Sequence, residues 1–205
     1  RRQRQMCIRD RNIKLKLEHS FRVEQESYNI AQSLNLSEEQ KELAKLIGLL
    51  HDIGRFEQVT IYNTFKDSVS IDHAEFGVEQ LIKNNFIRRF ISTSKYDKII
   101  FEAIRNHNKY SIDSNLNEEE MLQAKIIRDA DKVDIMNLLQ YKPFQLLYKK
   151  ADISDEKLSD AVYEQILNKK LIKNSNGNSS NIDKWVWTIA FISVSYTHLT
   201  LPTIR

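Results

Sequence analysis

The residues of this chain best suited to chemistry are a histidine and an aspartate side by side, His51-Asp52, where an apolar helix runs into Gly54. The imidazole offers a neutral nitrogen and the carboxylate an anionic oxygen, a mixture that suits Mn, Fe, Co, Ni or Zn. Adjacent helical residues point about 100° apart, so both can face one ion only where the last turn wraps around it. Such a pair also arises by chance, so it gains meaning only with other candidate ligands.

Four further residues have the same character. Besides His51, three histidines lie in separate predicted helices, in apolar or small-residue surroundings where an unpaired imidazole is costly to bury. Asp131 has apolar residues four and seven positions away on both sides, so it lies on the inward face of its helix, where a carboxylate needs a cation. These additional candidates are His19, His73, His107 and Asp131. One buried histidine is usually a hydrogen-bonded core residue, but four together favour a metal site.

This ordered set resembles the HD-domain superfamily of metal-dependent phosphohydrolases over residues 18 to 140. Local sequence agrees at three points: Glu18 to Val23 resembles the first helix of the family, Leu50 to Phe56 its signature, and Arg128 to Asp134 its closing segment. The segments Asp72 to Gly77 and Ile104 to His107 resemble the branch with two extra histidines, which holds two metals.

The resemblance implies a mechanism and a set of roles. One divalent ion (Mn, Fe, Co, Ni, Zn or Mg) is bound by His19, His51, Asp52 and Asp131, and Asp52 bridges to a second ion held by His73 and His107. A hydroxide between the ions attacks the phosphorus of a nucleotide or another small phosphoester. The predicted catalytic residues are Asp52, Arg55 and Lys66. The positively charged side chains of Arg55 and Lys66 are expected to bind a substrate phosphate. Weaker phosphate ligands are Arg22 and Lys132, while Asp67, Asp129 and Asp134 are expected at the surface or supporting the ligands.

Two other functions stay open at this point. Some relatives of this fold use a diiron centre to activate oxygen, and the same ligands suit that chemistry with an organic substrate. A catalytically idle ligand-binding domain would keep the fold while binding metal weakly. The complete ligand set argues against such a loss of activity.

The two ends of the chain are related to each other. One set of codons for residues 1–10, CGT CGG CAG CGT CAG ATG TGT ATA AGA GAC, has a reverse complement that translates as residues 194–203. One DNA element therefore accounts for both ends, and it resembles a transposon-end adapter used in sequencing libraries. We predict that residues 1–10 and 194–205 are not native and make few core contacts. The HD-type helical domain is then residues 11–193, truncated at its C-terminus.

Leaving out these ends removes the apparent basicity of the chain. The formal net charge is +3, of which residues 1–10 supply four arginines and one aspartate and Arg205 one more positive charge, so the interior carries about −1. We therefore expect neither a nucleic-acid surface nor a membrane partner. The single cysteine, Cys7, lies in the excluded ends, so the interior has no disulfide and no thiolate ligand. These features fit a bacterial, cytoplasmic protein, and the resemblance implies a small phosphorylated substrate.

The elements that must position the candidate ligands are predicted to be helices. Glycine and proline are scarce, with 4 and 2 in the chain, and apolar residues repeat with a period near 3.6. We predict a single all-α domain, with helices over residues 12–34, 37–52, 95–108, 154–170 and 185–192 and others starting after Asp72 and Asn117. Capping boxes are predicted for Ser37 with Gln40 and for Asn117 with Glu120. Gly54 is expected to end the second helix, before a long loop over residues 55–71.

Overall fold

The computed structural model describes residues 2–109, 111–141, 156–168, 180, 182–183 and 186, and the side chains of these residues other than 2–9, 84, 136 and 138–141. Within these ranges the regular structure is helical and no strand occurs, which confirms the all-α class. The helices are α1 (Arg2–Ser33), α2 (Glu38–Leu50), α3 (Ile53–Tyr62), α4 (His73–Ile82), α5 (Asp97–Asn106), α6 (Glu118–Tyr141) and α7 (Asp160–Leu167), with 3₁₀ segments at Asp67–Val69 and Lys83–Arg89.

Helix α1 is longer than predicted. It begins at Arg2 instead of residue 12, because residues 2–11 contain no helix breaker and are rich in arginine and glutamine, which favour helix. On its predicted inward face, His19 and Val23 are buried, whereas Leu15 is 51% exposed. The side chains of residues 1–9 and all of residues 194–205 lie outside the described residues, so the non-native origin of the two ends stays a prediction.

The predicted helix starts are confirmed where the signal is local. The Ser37 side chain accepts from the Gln40 amide, and the Gln40 side chain accepts from the Ser37 amide. Asn117 and Glu120 make the same reciprocal pair at the start of α6, at 2.9 and 3.1 Å. Asp72 accepts from the amides of residues 74 and 75 and so caps α4. These caps satisfy amide groups that have no partner inside their helices.

The predicted loop over residues 55–71 is wrong, because α3 occupies its first half. Gly54 lies inside this helix, where its missing side chain permits close packing against α4. The apolar pattern of this helix is interrupted by Gln58, a polar residue that is nevertheless fully buried. Its side-chain amide donates to Asp67, Ser70 and the Ile71 carbonyl, each at 2.9 Å. The helix ends at Asn63, whose φ of 53° is left-handed.

We expect Gly54→Ala to destabilise the fold by on the order of 2–4 kcal/mol, because the added Cβ overpacks a backbone contact. That Cβ would lie 2.2 Å from the His73 carbonyl oxygen and 2.7 Å from the Gly77 nitrogen. The matched control is Gly77→Ala, whose Cβ would come no closer than 3.1 Å to another atom. Chemical denaturation of both variants measures the difference, and equal unfolding free energies would contradict the close-packing role of Gly54.

Contacts divide the chain into two compact units, Arg1–Asp134 and Ile135–Arg205. In the first unit α1 packs on α2 and α3, α4 on α3 and α5, and α2 on α5. Its apolar core is drawn from all of α1, α2, α4, α5 and α6, including Val23, Ile47, Leu50, Val78, Leu81, Ile100, Ile104 and Ile127. This core fixes the helix ends that carry the candidate ligands.

In the second unit α7 begins at Asp160, where Ser159 is the N-cap, so it starts later than the predicted residue 154. The Asp183 carboxylate accepts from the Ser159 amide at 2.9 Å. The helix predicted over 185–192 lies almost wholly outside the described residues. None of the helices in the described ranges is long and apolar enough to cross a membrane.

Candidate metal centre

Six candidate ligands come together because most of them lie at helix ends. His51 is the C-cap of α2, Asp52 the N-cap of α3 and His107 the C-cap of α5. His73 is the first residue of α4, and only His19 and Asp131 lie within the bodies of their helices, α1 and α6. The four histidines and Asp52 are all at least nine-tenths buried, and the Asp131 side chain is 21% exposed. Burial of so many polar groups at one point requires a shared partner.

Asp52 lies at the centre, and its two carboxylate oxygens face different histidines. Oδ2 is 3.5 Å from His19 Nε2 and 3.4 Å from His51 Nε2. Oδ1 is 3.3 Å from His73 Nε2 and 3.9 Å from His107 Nε2. Two groups of possible ligands therefore share this one carboxylate.

Asp131 extends the first of these groups. Its Oδ1 lies 3.1 Å from His19 Nε2 and 3.8 Å from His51 Nε2. The first group thus contains two imidazole nitrogens and two carboxylates, and the second contains two imidazole nitrogens and the shared carboxylate. Neutral nitrogen and anionic oxygen donors in this ratio suit borderline divalent metals.

All four histidines present the same ring nitrogen to the centre because the other one is anchored. The Nδ1–H groups of His51 and His107 donate to the carbonyls of Gly48 and Ile104, each at 2.7 Å. His19 Nδ1 donates to Asp134 at 2.7 Å, and His73 Nδ1 donates to Asp67 at 2.6 Å. Because each Nδ1 carries the hydrogen, the Nε2 of a neutral ring holds a lone pair directed at the centre. Metal-binding histidines are typically oriented in this way.

The hydrogen-bond partners of the four Nε2 atoms show whether these residues fit a metal. Those of His19 and His51 are buried and make no hydrogen bond within the part of the chain that the structure describes. Those of His73 and His107 face each other at 3.0 Å, so two lone pairs oppose each other unless a proton or a cation lies between them. Buried ring nitrogens without a hydrogen-bond partner are rare in native proteins. The cluster can therefore bind metal ions, and the residues present fit them.

The charges around the centre keep its carboxylates ionised. Burial, the largest influence on the pKa of Asp52, raises it, but Lys16 and the adjacent histidines hold that pKa well below its usual value. The pKa of Asp131 is lowered in the same way, by the adjacent His19 and His51 against the effect of burial. Both acids are thus anionic at neutral pH and suited to bind a cation.

Two of the histidines differ in their protonation. Burial lowers the pKa of His19, but the adjacent carboxylates of Asp131 and Asp134 raise it to about 9. Burial, together with the positive fields of His51 and His73, lowers the pKa of His107 to about 3. At pH 7 His19 is protonated and His107 is neutral.

We expect metal binding at pH 7 to release about one proton per chain, because an ion can bind His19 only after displacing the proton held there. His107 is already neutral and releases none. Affinity for the ion should rise by about tenfold per pH unit between pH 7 and 9 and level off above pH 9. Calorimetric titration in buffers of different ionisation enthalpy measures the proton count, and pH-independent binding without proton release would contradict this assignment.

The two predicted phosphate ligands, Arg55 and Lys66, differ in their distance from the candidate metal centre. The Nη1 of Arg55 donates to Gln58 at 2.9 Å, to the Phe65 carbonyl at 2.5 Å and to Asp67 at 2.6 Å, and its Nε is 3.5 Å from Asp52 Oδ1. Arg55 is therefore at the centre, where its Nη1 holds neighbouring residues and its buried Nε makes no hydrogen bond within the described residues. Lys66 is exposed, and its side chain contacts none of the six candidate ligands in the described structure.

The supporting carboxylates include two that sequence analysis placed at the surface or behind the ligands. Asp134 holds His19 and accepts from Arg22 at 2.5 and 3.0 Å, so the Arg22 guanidinium is engaged by this supporting carboxylate. Asp67 holds His73 in the corresponding way. Lys132 and Asp129 are buried in α6.

Sequence analysis missed two residues at the centre. Lys16 donates to Asp52 Oδ2 at 2.6 Å, and its position one turn before His19 on α1 is the signal that would have found it. Gln58 holds Asp67 and accepts from Arg55, and no pattern in the sequence marks it.

Comparisons with known proteins agree with this geometry. The sequence matches the family described as HD domain over residues 17–136, more than half of the chain, and that range contains all six candidate ligands. No curated protein and no solved structure matches the chain. With a family match of this length and a histidine and aspartate cluster of this arrangement, the chain belongs to the HD domain family.

Proposed function

We propose that this protein is a metal-dependent phosphohydrolase that acts on a nucleotide or another small phosphoester. The observation that carries the proposal is the Asp52 carboxylate, whose two oxygens face two separate pairs of histidines. A shared carboxylate between two sets of donors is suited to holding two ions side by side. HD domain proteins are commonly hydrolases of this kind, which supports the proposal.

The first ion would be held by His19, His51, Asp52 and Asp131, and the second by Asp52, His73 and His107. When bound, such ions supply an activated water and neutralise the charge that develops on the phosphoryl oxygens. The donors leave Mn, Fe, Co, Ni and Zn as the best-suited metals, with Mg less so because it prefers oxygen ligands.

The chain's own residues orient the donors. Asp134 and Asp67 fix the rings of His19 and His73, and the carbonyls of Gly48 and Ile104 fix those of His51 and His107. Arg55 ties Asp67 to the Phe65 carbonyl, so through Asp67 it holds His73 in place. We therefore assign Arg55 a positioning role and leave Lys66 outside the catalytic group. The substrate phosphate would enter at the exposed side of Asp131.

The test is an activity screen on the full chain after removal of bound metal. Each divalent ion is added back and hydrolysis is measured over nucleotides, cyclic dinucleotides and sugar phosphates. We expect phosphate release or ring opening with at least one substrate and one ion, and none after chelation. An iron-specific absorption band in protein purified in air, without phosphoester hydrolysis by any ion, would instead favour the diiron oxygenase. Weak metal affinity with no activity would favour a ligand-binding domain.

A further inference from the structure

Lys16 contacts the centre of the metal cluster although it is not a candidate ligand. It lies on α1 one turn before His19, and its Nζ donates to Asp52 Oδ2 at 2.6 Å. The Lys16 side chain is 26% exposed and that of Asp52 is 3% exposed, so Lys16 reaches inward from the surface. Its ammonium also lies 6.0 Å from the centre of the Phe65 ring. Lys16 therefore lies on the solvent side of the central carboxylate.

The contact occupies an oxygen atom that a metal ion would also need. Asp52 Oδ2 is also the oxygen that faces His19 Nε2 and His51 Nε2, at 3.5 and 3.4 Å. An ion held by these two histidines and by Oδ2 has to share that oxygen with the Lys16 ammonium. Two cations on one carboxylate oxygen repel each other, and the repulsion is strong where water is largely excluded. Lys16 therefore weakens binding of that ion for as long as it stays on Asp52.

The repulsion is relieved when an anion offers the ammonium another partner. A lysine has a flexible four-carbon stem and three donors, so it can move between acceptors without moving its helix. A phosphate bound at the ions carries negative oxygens within reach of the same solvent side. Moving Lys16 from Asp52 to those oxygens frees Oδ2 for the ion and adds a charge-assisted hydrogen bond to the phosphate.

We propose that Lys16 couples metal binding to phosphate binding, and this proposal rests on the proposed hydrolase function. Without phosphate its ammonium competes with the ion for Asp52 Oδ2, and with phosphate it contacts the phosphoryl oxygens. Coupling of this kind is reciprocal, so phosphate strengthens ion binding by the same factor by which the ion strengthens phosphate binding. The substrate thus completes its own metal site.

The experiment measures Mn²⁺ binding to the full chain from the electron paramagnetic resonance signal of the free ion, with and without inorganic phosphate. The variant is Lys16→Met, which keeps the length of the side chain and removes its charge. The matched control is Lys14→Met, on the same helix, since Lys14 Nζ is 3.9 Å from Glu18 and its side chain is 76% exposed. Both variants remove one positive charge, but only the first removes a contact with Asp52.

Without phosphate we expect Lys16→Met to bind Mn²⁺ about tenfold more tightly than the wild type. Phosphate should strengthen Mn²⁺ binding severalfold in the wild type and in Lys14→Met, and by a clearly smaller factor in Lys16→Met, where only direct contact between phosphate and the ion remains. Unchanged or weaker Mn²⁺ affinity in Lys16→Met, or an intact phosphate effect, would overturn the proposal. If circular dichroism shows Lys16→Met to be unfolded, Lys16→Gln is measured against the same expectations.

The outcome is distinguishable from failure of the proposed function. A reduced phosphate effect in Lys16→Met, together with no hydrolysis of any phosphoester by the wild type, would reject the reaction and retain the coupling. An active wild type whose phosphate effect is undiminished in Lys16→Met would reject the role of Lys16 and retain the reaction. A wild type that binds no Mn²⁺ would reject both.

Discussion

Asp52→Asn is expected to lower kcat for phosphoester hydrolysis by on the order of a thousandfold or more. Removal of a single electrostatic group at a transition state commonly costs 10² to 10³ in kcat, and Asp52 serves both groups of donors. An asparagine keeps the size of the side chain but removes the charge that holds two cations together. Steady-state kinetics at saturating metal measures the loss.

The matched control for this substitution is Asp113→Asn. Asp113 is 48% exposed and pairs with Lys109 in the same turn of chain, so the same loss of charge there should leave kcat within a factor of about two. The Asp52 variant should also remain folded, because asparagine has nearly the same size and shape as aspartate and leaves the packing around residue 52 unchanged. A folded Asp52→Asn protein that retains wild-type kcat would rule out the central role of this residue.

His107→Ala should remove one of two ions and abolish turnover with it. Among the described residues, two histidines face Asp52 Oδ1, and His107 is one of them. Its loss leaves the second group with one imidazole and a shared carboxylate. Elemental analysis of the purified variant should show about one ion fewer per chain than the wild type. Hydrolysis should fall to near the chelated background.

A purely structural role of His107 predicts a different result. The substitution would then leave a cavity that costs on the order of 1–3 kcal/mol of stability. Specific activity per folded molecule would stay nearly intact, and the metal content would not change. Unchanged metal content together with full activity would reject the two-metal arrangement, while the group formed by His19, His51, Asp52 and Asp131 would remain as a one-metal site.

Much of the fold follows from signals that are local in sequence. The Ser37 and Asn117 capping boxes and the Asp72 cap depend on residues two or three positions apart, and each is present in the structure. The candidate ligands could be recognised because histidines in apolar surroundings are unusual, and because their order along the chain is that of the HD domain.

The remainder depends on contacts between distant segments. Gly54 has the usual signature of a helix end, but its missing side chain serves the contact with α4, and no local pattern separates these two uses. Gln58 is polar and fully buried because Asp67, Ser70 and Ile71 accept its hydrogens. Lys16 reaches Asp52 across 36 positions of sequence. Partners of this kind become visible only once the helices are placed.

The anchors of the four histidines divide the site by its tolerance of mutation. His51 and His107 are held by the backbone carbonyls of residues 48 and 104, and every amino acid supplies such a carbonyl. His19 and His73 are held by the side chains of Asp134 and Asp67, which single nucleotide changes can remove. Substitutions in the anchors should therefore disturb each group of donors through one histidine only, His19 in the first and His73 in the second. Variants with intact ligands but impaired metal binding should be found at positions 67 and 134.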